Sequence, residues 1–333
     1  MLGCRSPAPP TQAGQFCSLS ARAIRVAFSP DGQLLASISP TRIQVWELST
    51  RTLLWEKLAP EAGEQDSFIT TDIEFTDLAI APDGHILATV RTDGTLTEWD
   101  LRTGEKLRTA LVPKDHNRIA ISPDGEWLAI NAYLVGETFI WDRASWKPVA
   151  ALPRTRGPVA FSPGGDLLLV GGADGVPRLL EVGSWQPALA LPPLPGLLAA
   201  ASFSPDGDLL ALAGWDSLVW VYDVGSGELV HTLVGHREPV TAVAFSLDGR
   251  ALASGGRDEL VLVWDVASGE MLMGLDLWGI LRIHAGASPA FQAAVRRSLG
   301  VRDLDFGADG LLATCGVGSP DLGWLQLWRL ERP

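Results

Sequence analysis

The 333-residue chain predicts an all-β fold, a seven-bladed β-propeller with four antiparallel strands in each blade. Three observations predict it. A five-residue turn signature recurs seven times, a short apolar run follows each copy, and the last unit stops one strand short of completion.

The signature appears as Phe28-Ser-Pro-Asp-Gly32, Ile80-Ala-Pro-Asp-Gly84, Ile121-Ser-Pro-Asp-Gly125, Phe161-Ser-Pro-Gly-Gly165, Phe203-Ser-Pro-Asp-Gly207, Phe245-Ser-Leu-Asp-Gly249 and Phe306-Gly-Ala-Asp-Gly310. Its copies are spaced by 52, 41, 40, 42, 42 and 61 residues. Pro presets φ for the second turn position, Asp bonds the nearby backbone, and Gly takes the left-handed position that other residues resist.

The runs after the turns, such as Leu34–Ser39, Trp127–Ala132 and Ala251–Gly255, are short and continuously apolar, which suits strands buried on both faces. A third segment alternates and usually ends in an aromatic, as in Ile43–Leu48 and Leu260–Val266. A fourth follows a Gly- or Ser-containing turn, as in Glu228–Leu233. One such sheet cannot cover both its faces, and seven stacked around an axis cover each other.

The last unit ends after its third strand, so its fourth is expected from the N-terminus, within 15–20. The expected organisation is a flexible leader over 1–14 and a single propeller over 15–333, with blade 7 built from 301–330 plus 15–20. Cys17 and Cys315 then lie two strand widths apart, roughly 10 Å, too far for a disulfide.

Composition narrows the function. Hydrophobic residues make up 47% of the chain and charged ones 20%, enough for a large core. The net charge is −13 and Lys and Arg form no run, which disfavours nucleic acid. No apolar stretch nears the roughly 18 residues of a membrane helix, and no secretory signal is visible. Three scattered cysteines suit a reducing compartment, and a cytoplasmic, monomeric protein is expected. Phosphate loops, nucleophile elbows, zinc helices and Cys-x-x-Cys pairs are missing from the sequence, and the five histidines are dispersed. Neither catalytic residues, nor a metal, nor a cofactor is expected.

In blade 6, Gly235-His236, Leu252-Ala253-Ser254-Gly255, Asp258 and Trp264-Asp265 resemble a complete repeat of the WD-repeat family. Blade 2 matches in part through Leu87-Ala88-Thr89, Asp93-Gly94-Thr95 and Trp99-Asp100, and blade 5 keeps Asp216 with Tyr222-Asp223. The resemblance runs over essentially residues 15–333. It implies that His236, Ser254, Asp258 and Trp264 form the family's hydrogen-bonded structural tetrad. The other six blades lack the histidine, so packing must hold most of the ring. The resemblance also implies a non-catalytic scaffold that binds a protein or peptide. Two alternatives stay open: an enzyme with its site in the central funnel, and a sensory subunit of a larger signalling assembly.

Antiparallel order puts the connections between blades and the second-to-third-strand loops on one end, the top. Length variation gathers there, in insertions at 59–72 and 276–300 that flank blade 1, and insertions on one face mark a binding face. The first insertion is acidic (Glu61, Glu64, Asp66). The second reads as a short helix with Ser288 as N-cap, Pro289 at its first position and Gly300 after its end. Phe291, Val295 and Leu299 give it an apolar face that packs on the propeller or meets a partner. Further top-face candidates are Trp215, Arg257, Trp324, Arg118, Arg156, Arg302 and Asp303, residues of types that anchor interfaces or sit beside such types. Trp146 and Trp185, in equivalent turns at the opposite end, form either a second patch or hairpin packing.

Overall fold

The recurring turn carries its own hydrogen-bond circuit. In blade 1, Ser29 Oγ donates to Asp31 Oδ1 at 2.5 Å and accepts the Leu34 N–H at 2.9 Å. Asp31 Oδ1 also accepts the Gln33 N–H at 3.0 Å. The same Ser–Asp pair closes the turn at Ser122/Asp124, Ser204/Asp206 and Ser246/Asp248. Blade 4 has Gly164 in the Asp position, and there Asp166 takes the Ser162 hydroxyl at 2.7 Å. The final glycine of all seven copies has a positive φ, from 66° at Gly32 to 82° at Gly207, which only glycine adopts without strain. In blade 7 the copy becomes a 3-10 turn over Ala308–Gly310.

These turns organise seven four-stranded antiparallel sheets in a computed structural model that describes residues 14–19, 23–59, 74–115, 117–276, 300–317 and 323–330. Blade 1 comprises Arg25–Phe28, Leu34–Ser39, Arg42–Glu47 and Thr52–Leu58. Blade 7 comprises Val301–Phe306, Leu311–Val317 and Gly323–Arg329, with Gly14–Leu19 paired antiparallel to the third as the fourth strand. Cys17 and Cys315 thus have a whole strand between them, and Cys315 is a free, buried thiol. The 1–13 part of the expected leader, the interiors of both insertions, the helix carrying Phe291 and the interior of the Val317–Gly323 loop lie outside the described residues.

First strands of successive blades lie side by side around the full circle, blade 7 against blade 1 included. They line the channel. Fourth strands face solvent: Thr52–Leu58 is largely exposed, whereas Leu34–Ser39 is buried throughout. One apolar cluster fills each interface between blades, as where Leu34 and Val45 of blade 1 meet Phe75 and Leu87 of blade 2. Burial of this kind contributes about 25 cal/mol per Å² of apolar surface, so the seams between blades carry the fold. The turns add a ring of contacts below the channel. A Cβ on Gly84, Gly165, Gly207 or Gly249 would stand within 3.6–3.8 Å of the turn proline of the preceding blade.

Polar latches tie the outer rim. Trp55 Nε1 donates to the Leu101 carbonyl at 2.9 Å, and Arg108 donates to the Arg143 carbonyl at 2.6 Å, each crossing to the next blade. Glu98 is buried between blades 2 and 3 and accepts from Arg108 at 2.6 Å and from Arg143 at 2.8 Å. Trp146 and Trp185 occupy turn positions that glycine holds in blades 2, 5 and 6, with φ of 56° and 57°. Both are packed rather than patch-forming. Trp185 meets Trp127 edge-on at 5.4 Å, while Trp146 lies 6.0 Å from Trp141 with Arg108 4.0 Å above its ring.

Removing one member of a buried ion pair leaves its partner uncompensated, whereas exposed pairs contribute little. Glu98→Ala should therefore destabilise the chain by about 3 kcal/mol in urea denaturation. Arg102→Ala, which breaks the exposed Asp31 pair, should cost less than about 1 kcal/mol. Similar losses for the two would remove Glu98 from its role at the blade 2–3 seam.

Candidate functional site

A first strand is the edge of its sheet, so its channel-side N–H groups have no partner within the blade. Three carboxylates supply partners from the blade before. Asp303 accepts the Val26 N–H at 3.0 Å, Asp305 accepts the Phe28 N–H at 2.8 Å, and Asp77 accepts the Ile119 N–H at 2.9 Å. Ser202 does the same for Phe245 at 3.3 Å. Burial pushes Asp305 up to about 7 against the opposing pull of the Phe28 amide, with Asp303 adding repulsion. Asp77 is likewise raised by burial, to about 6, although the Arg25 guanidinium beside it works the other way. Asp303 is raised too, by burial before anything else. Nearby, burial lifts the Cys315 thiol well above the ordinary range.

Above these carboxylates, arginines ring the channel mouth. Arg25 donates to Asp77 at 3.1 Å, to the carbonyl of Ile24 at 2.8 Å and to that of Arg302 at 3.0 Å. Arg118 stands 3.9 Å from the same Asp77 oxygen. Arg257 lies 4.4 Å over the Trp215 ring, a cation–π contact, and Trp215 itself is 51% exposed. Arg156 covers Tyr133 at 4.6 Å and donates to its carbonyl. Burial, then the neighbouring Arg257 and Arg25 guanidinia, lower the pKa of Arg302. Among the described residues Arg302 and Arg257 form no ion pair.

The sequence-predicted candidates divide. Trp215, Arg257, Arg302, Arg25's neighbour Arg118, and Arg156 are at the mouth, with Arg302, Arg118 and Arg156 each the second residue of a first strand. Asp303 faces the channel beneath them, tied to blade 1. Phe291 lies outside the described residues. Trp324 is a correction: it is 7% exposed and packed in the blade 6–7 core with Val301 and Leu304. The reason is Gly316 opposite it, where a Cβ would stand 2.5 Å from the indole, so the ring lies flat over the neighbouring strand. Sequence reasoning missed Arg25, Asp77 and Asp305, whose signal was charge carried within the first strands of blades. It also missed the tip of blade 3, where Leu134 and Val135 are 68% and 51% exposed and Asp115 holds both amides.

Blade 6 carries a continuous hydrogen-bond chain. Trp264 Nε1 donates to Ser254 Oγ at 2.9 Å, Ser254 Oγ meets His236 Nε2 at 2.8 Å, and His236 Nδ1 meets Asp258 at 3.0 Å. This order assigns the proton to Nδ1 in the neutral ring. Burial alone would raise Asp258, but the His236 ring and the Arg237 amide outweigh it and lower the carboxyl. Among the described residues, blades 2 and 7 show the Trp end of such a chain, Trp99 to Thr89 at 2.9 Å and Trp328 to Thr314 at 2.8 Å. In blade 5, Asp216 instead accepts Trp220 Nε1 at 2.8 Å.

Residues 196–223 and 227–265 match the family described as WD domain, G-beta repeat. Two of the seven blades of this propeller thus match WD repeats. The matched stretches cover blade 5 and the first three strands of blade 6, the blade that holds the Trp–Ser–His–Asp chain. The chain is 34% identical to protein HIR1 of Yarrowia lipolytica over 37% of its own length and 13% of that protein. It is 32% identical to eukaryotic translation initiation factor 3 subunit I of Pyricularia oryzae over 30% of its length and 27% of the relative. An uncharacterized WD repeat-containing protein of Synechocystis sp. is 28% identical over 43% of this chain and 39% of its own. The matches thus span less than half of each relative's length.

Two measurements follow from these sites. His236→Ala breaks the blade 6 chain at its centre and should cost about 2 kcal/mol in denaturant unfolding; an unchanged midpoint would show the WD repeat of blade 6 stands on packing alone. The raised Asp305 carboxyl stabilises the fold fully below its ordinary 3.8 and loses that contribution as pH rises through about 7. Asp305→Asn, neutral throughout, should therefore gain in melting temperature relative to wild type between pH 5 and pH 8, the span of roughly one side to the other of that transition. A difference between the two proteins that stays constant with pH would refute it.

Proposed function

We propose that this WD-repeat protein is a non-catalytic scaffold for protein–protein interaction that receives its partner on the top face, around blades 7, 1 and 2. The observation that carries the reading is the mouth of the channel. Arg302 and Arg257 offer guanidinium groups without ion-pair partners among the described residues, and half-exposed Trp215 lies directly under one of them. Arg and Trp are the residue types that dominate interface energies. Names among the relatives agree in kind, since one is a subunit of translation initiation factor 3. The lower end offers less: its two turn tryptophans are taken up in packing.

The channel carboxylates give a catalytic reading one specific support, because perturbed carboxyls gather at active sites. Each of them, however, is engaged by a backbone amide of the neighbouring blade. Among the described residues no three His, Cys, Asp or Glu side chains group as metal ligands. A ring-closing role accounts for their placement.

Affinity capture with the purified chain tests the scaffold reading. Partners held by wild type should be lost or strongly reduced with Trp215→Ala and with Arg257→Ala, and retained by Arg250→Ala at the opposite end. Equal capture by all four proteins would remove the top face from the interaction.

A further inference from the structure

The chain carries 39 acidic residues against 26 Lys and Arg, yet the channel mouth collects cations. Around it run Arg118 of blade 3, Arg25 of blade 1, Arg302 of blade 7 and Arg257 of blade 6, with Trp215 of blade 5 closing the arc. The arc is held together by direct contacts. Arg25 grips the carbonyl of Arg302 at 3.0 Å, and Gly300, at the entry to the same strand, lies so close to blade 6 that a Cβ on it would be 3.3 Å from the Arg257 Cα. Asp77 answers the charge of Arg25 and stands near Arg118. No carboxylate among the described residues answers Arg302 or Arg257. Arg257 and Arg25 each act electrostatically against the charge of Arg302, and an anion seated among them lowers the free energy of the site.

We infer that this mouth is a receptor for an acidic peptide segment, whose side-chain carboxylate sits between Arg302 and Arg257 with its stem against Trp215. The inference rests on the top-face scaffold reading and supplies the chemistry of the partner. A guanidinium presents paired N–H donors that match the two oxygens of a carboxylate, and the indole face covers the methylene groups behind it. Two features favour a carboxylate over a phosphate group or a nucleic acid. Asp77 and Asp303 lie just beneath the arginines, and they repel a dianion more strongly than a monoanion. The net charge of −13 repels a polyanion over a longer range than a short segment.

Fluorescence anisotropy on the full chain tests this with a labelled peptide of alternating glutamate and serine. Matched peptides carry glutamine or lysine in place of glutamate, and further arms use a glutamine peptide with phosphoserine and a single-stranded oligonucleotide. The glutamate peptide should bind, weaken as salt is added, and lose about tenfold in affinity with Arg302→Gln and with Arg257→Gln. Arg257 is exposed, so its variant keeps the fold even if Arg302→Gln disturbs it. Arg250→Gln, on a lower turn, should bind as wild type does. Equal binding of the glutamine peptide, preference for the lysine, phosphoserine or oligonucleotide probe, or undiminished binding by Arg257→Gln would each overturn the inference. Such a result leaves the scaffold reading standing as long as Trp215→Ala and Arg257→Ala still lose captured partners, so the two fail separately.

Discussion

The ring depends on how sheet edges are satisfied at its axis. Seven first strands turn an edge toward the channel, and an unpaired buried amide is expensive. Asp303, Asp305 and Asp77 meet that need by reaching from one blade to the amides of another, at 2.8–3.0 Å. Two of these three lie on blade 7 and serve blade 1, the seam where the circle closes. The interaction that satisfies the backbone therefore also joins the first blade to the last. Burying the carboxylates raises their pKa, so the same contact that closes the ring makes its stability sensitive to pH near neutrality.

Outside the axis, the seams are unlike one another. Among the described residues, blade 6 has a full Trp–Ser–His–Asp chain, blades 2 and 7 have Trp on Thr, and blades 2 and 3 share a buried ion triad around Glu98. Trp46 and Trp141 have indole N–H groups that find no acceptor among the described residues. Apolar packing is common to all seven seams, and the polar devices are individual solutions laid over it.

Much of this was legible in the sequence. The turn signature marked each blade because its residues close a local circuit, and local circuits leave local patterns. Even the exception in blade 4 follows, since Asp166 replaces the oxygen missing at Gly164. Trp324 was misread because its environment is set by Gly316, a residue on another strand, and loop position alone says nothing of that approach. Asp77 and Asp305 escaped notice for a related reason. Their amide partners are 42 and 277 residues away, and only the closed circle brings them together. Arg302 and Arg257 were found by type and position, but that no carboxylate among the described residues pairs with them became visible only in three dimensions.

The strand at Gly14–Leu19 has a consequence for the order of events at the ribosome. Among the described strands it is made before all the others, yet its partner strand, Gly323–Arg329, is made after them. Until that partner emerges, the early strand is an open edge without its mate. The circle can be sealed only after synthesis of the third strand of blade 7, so closure of the ring waits on six blades that precede it in the chain.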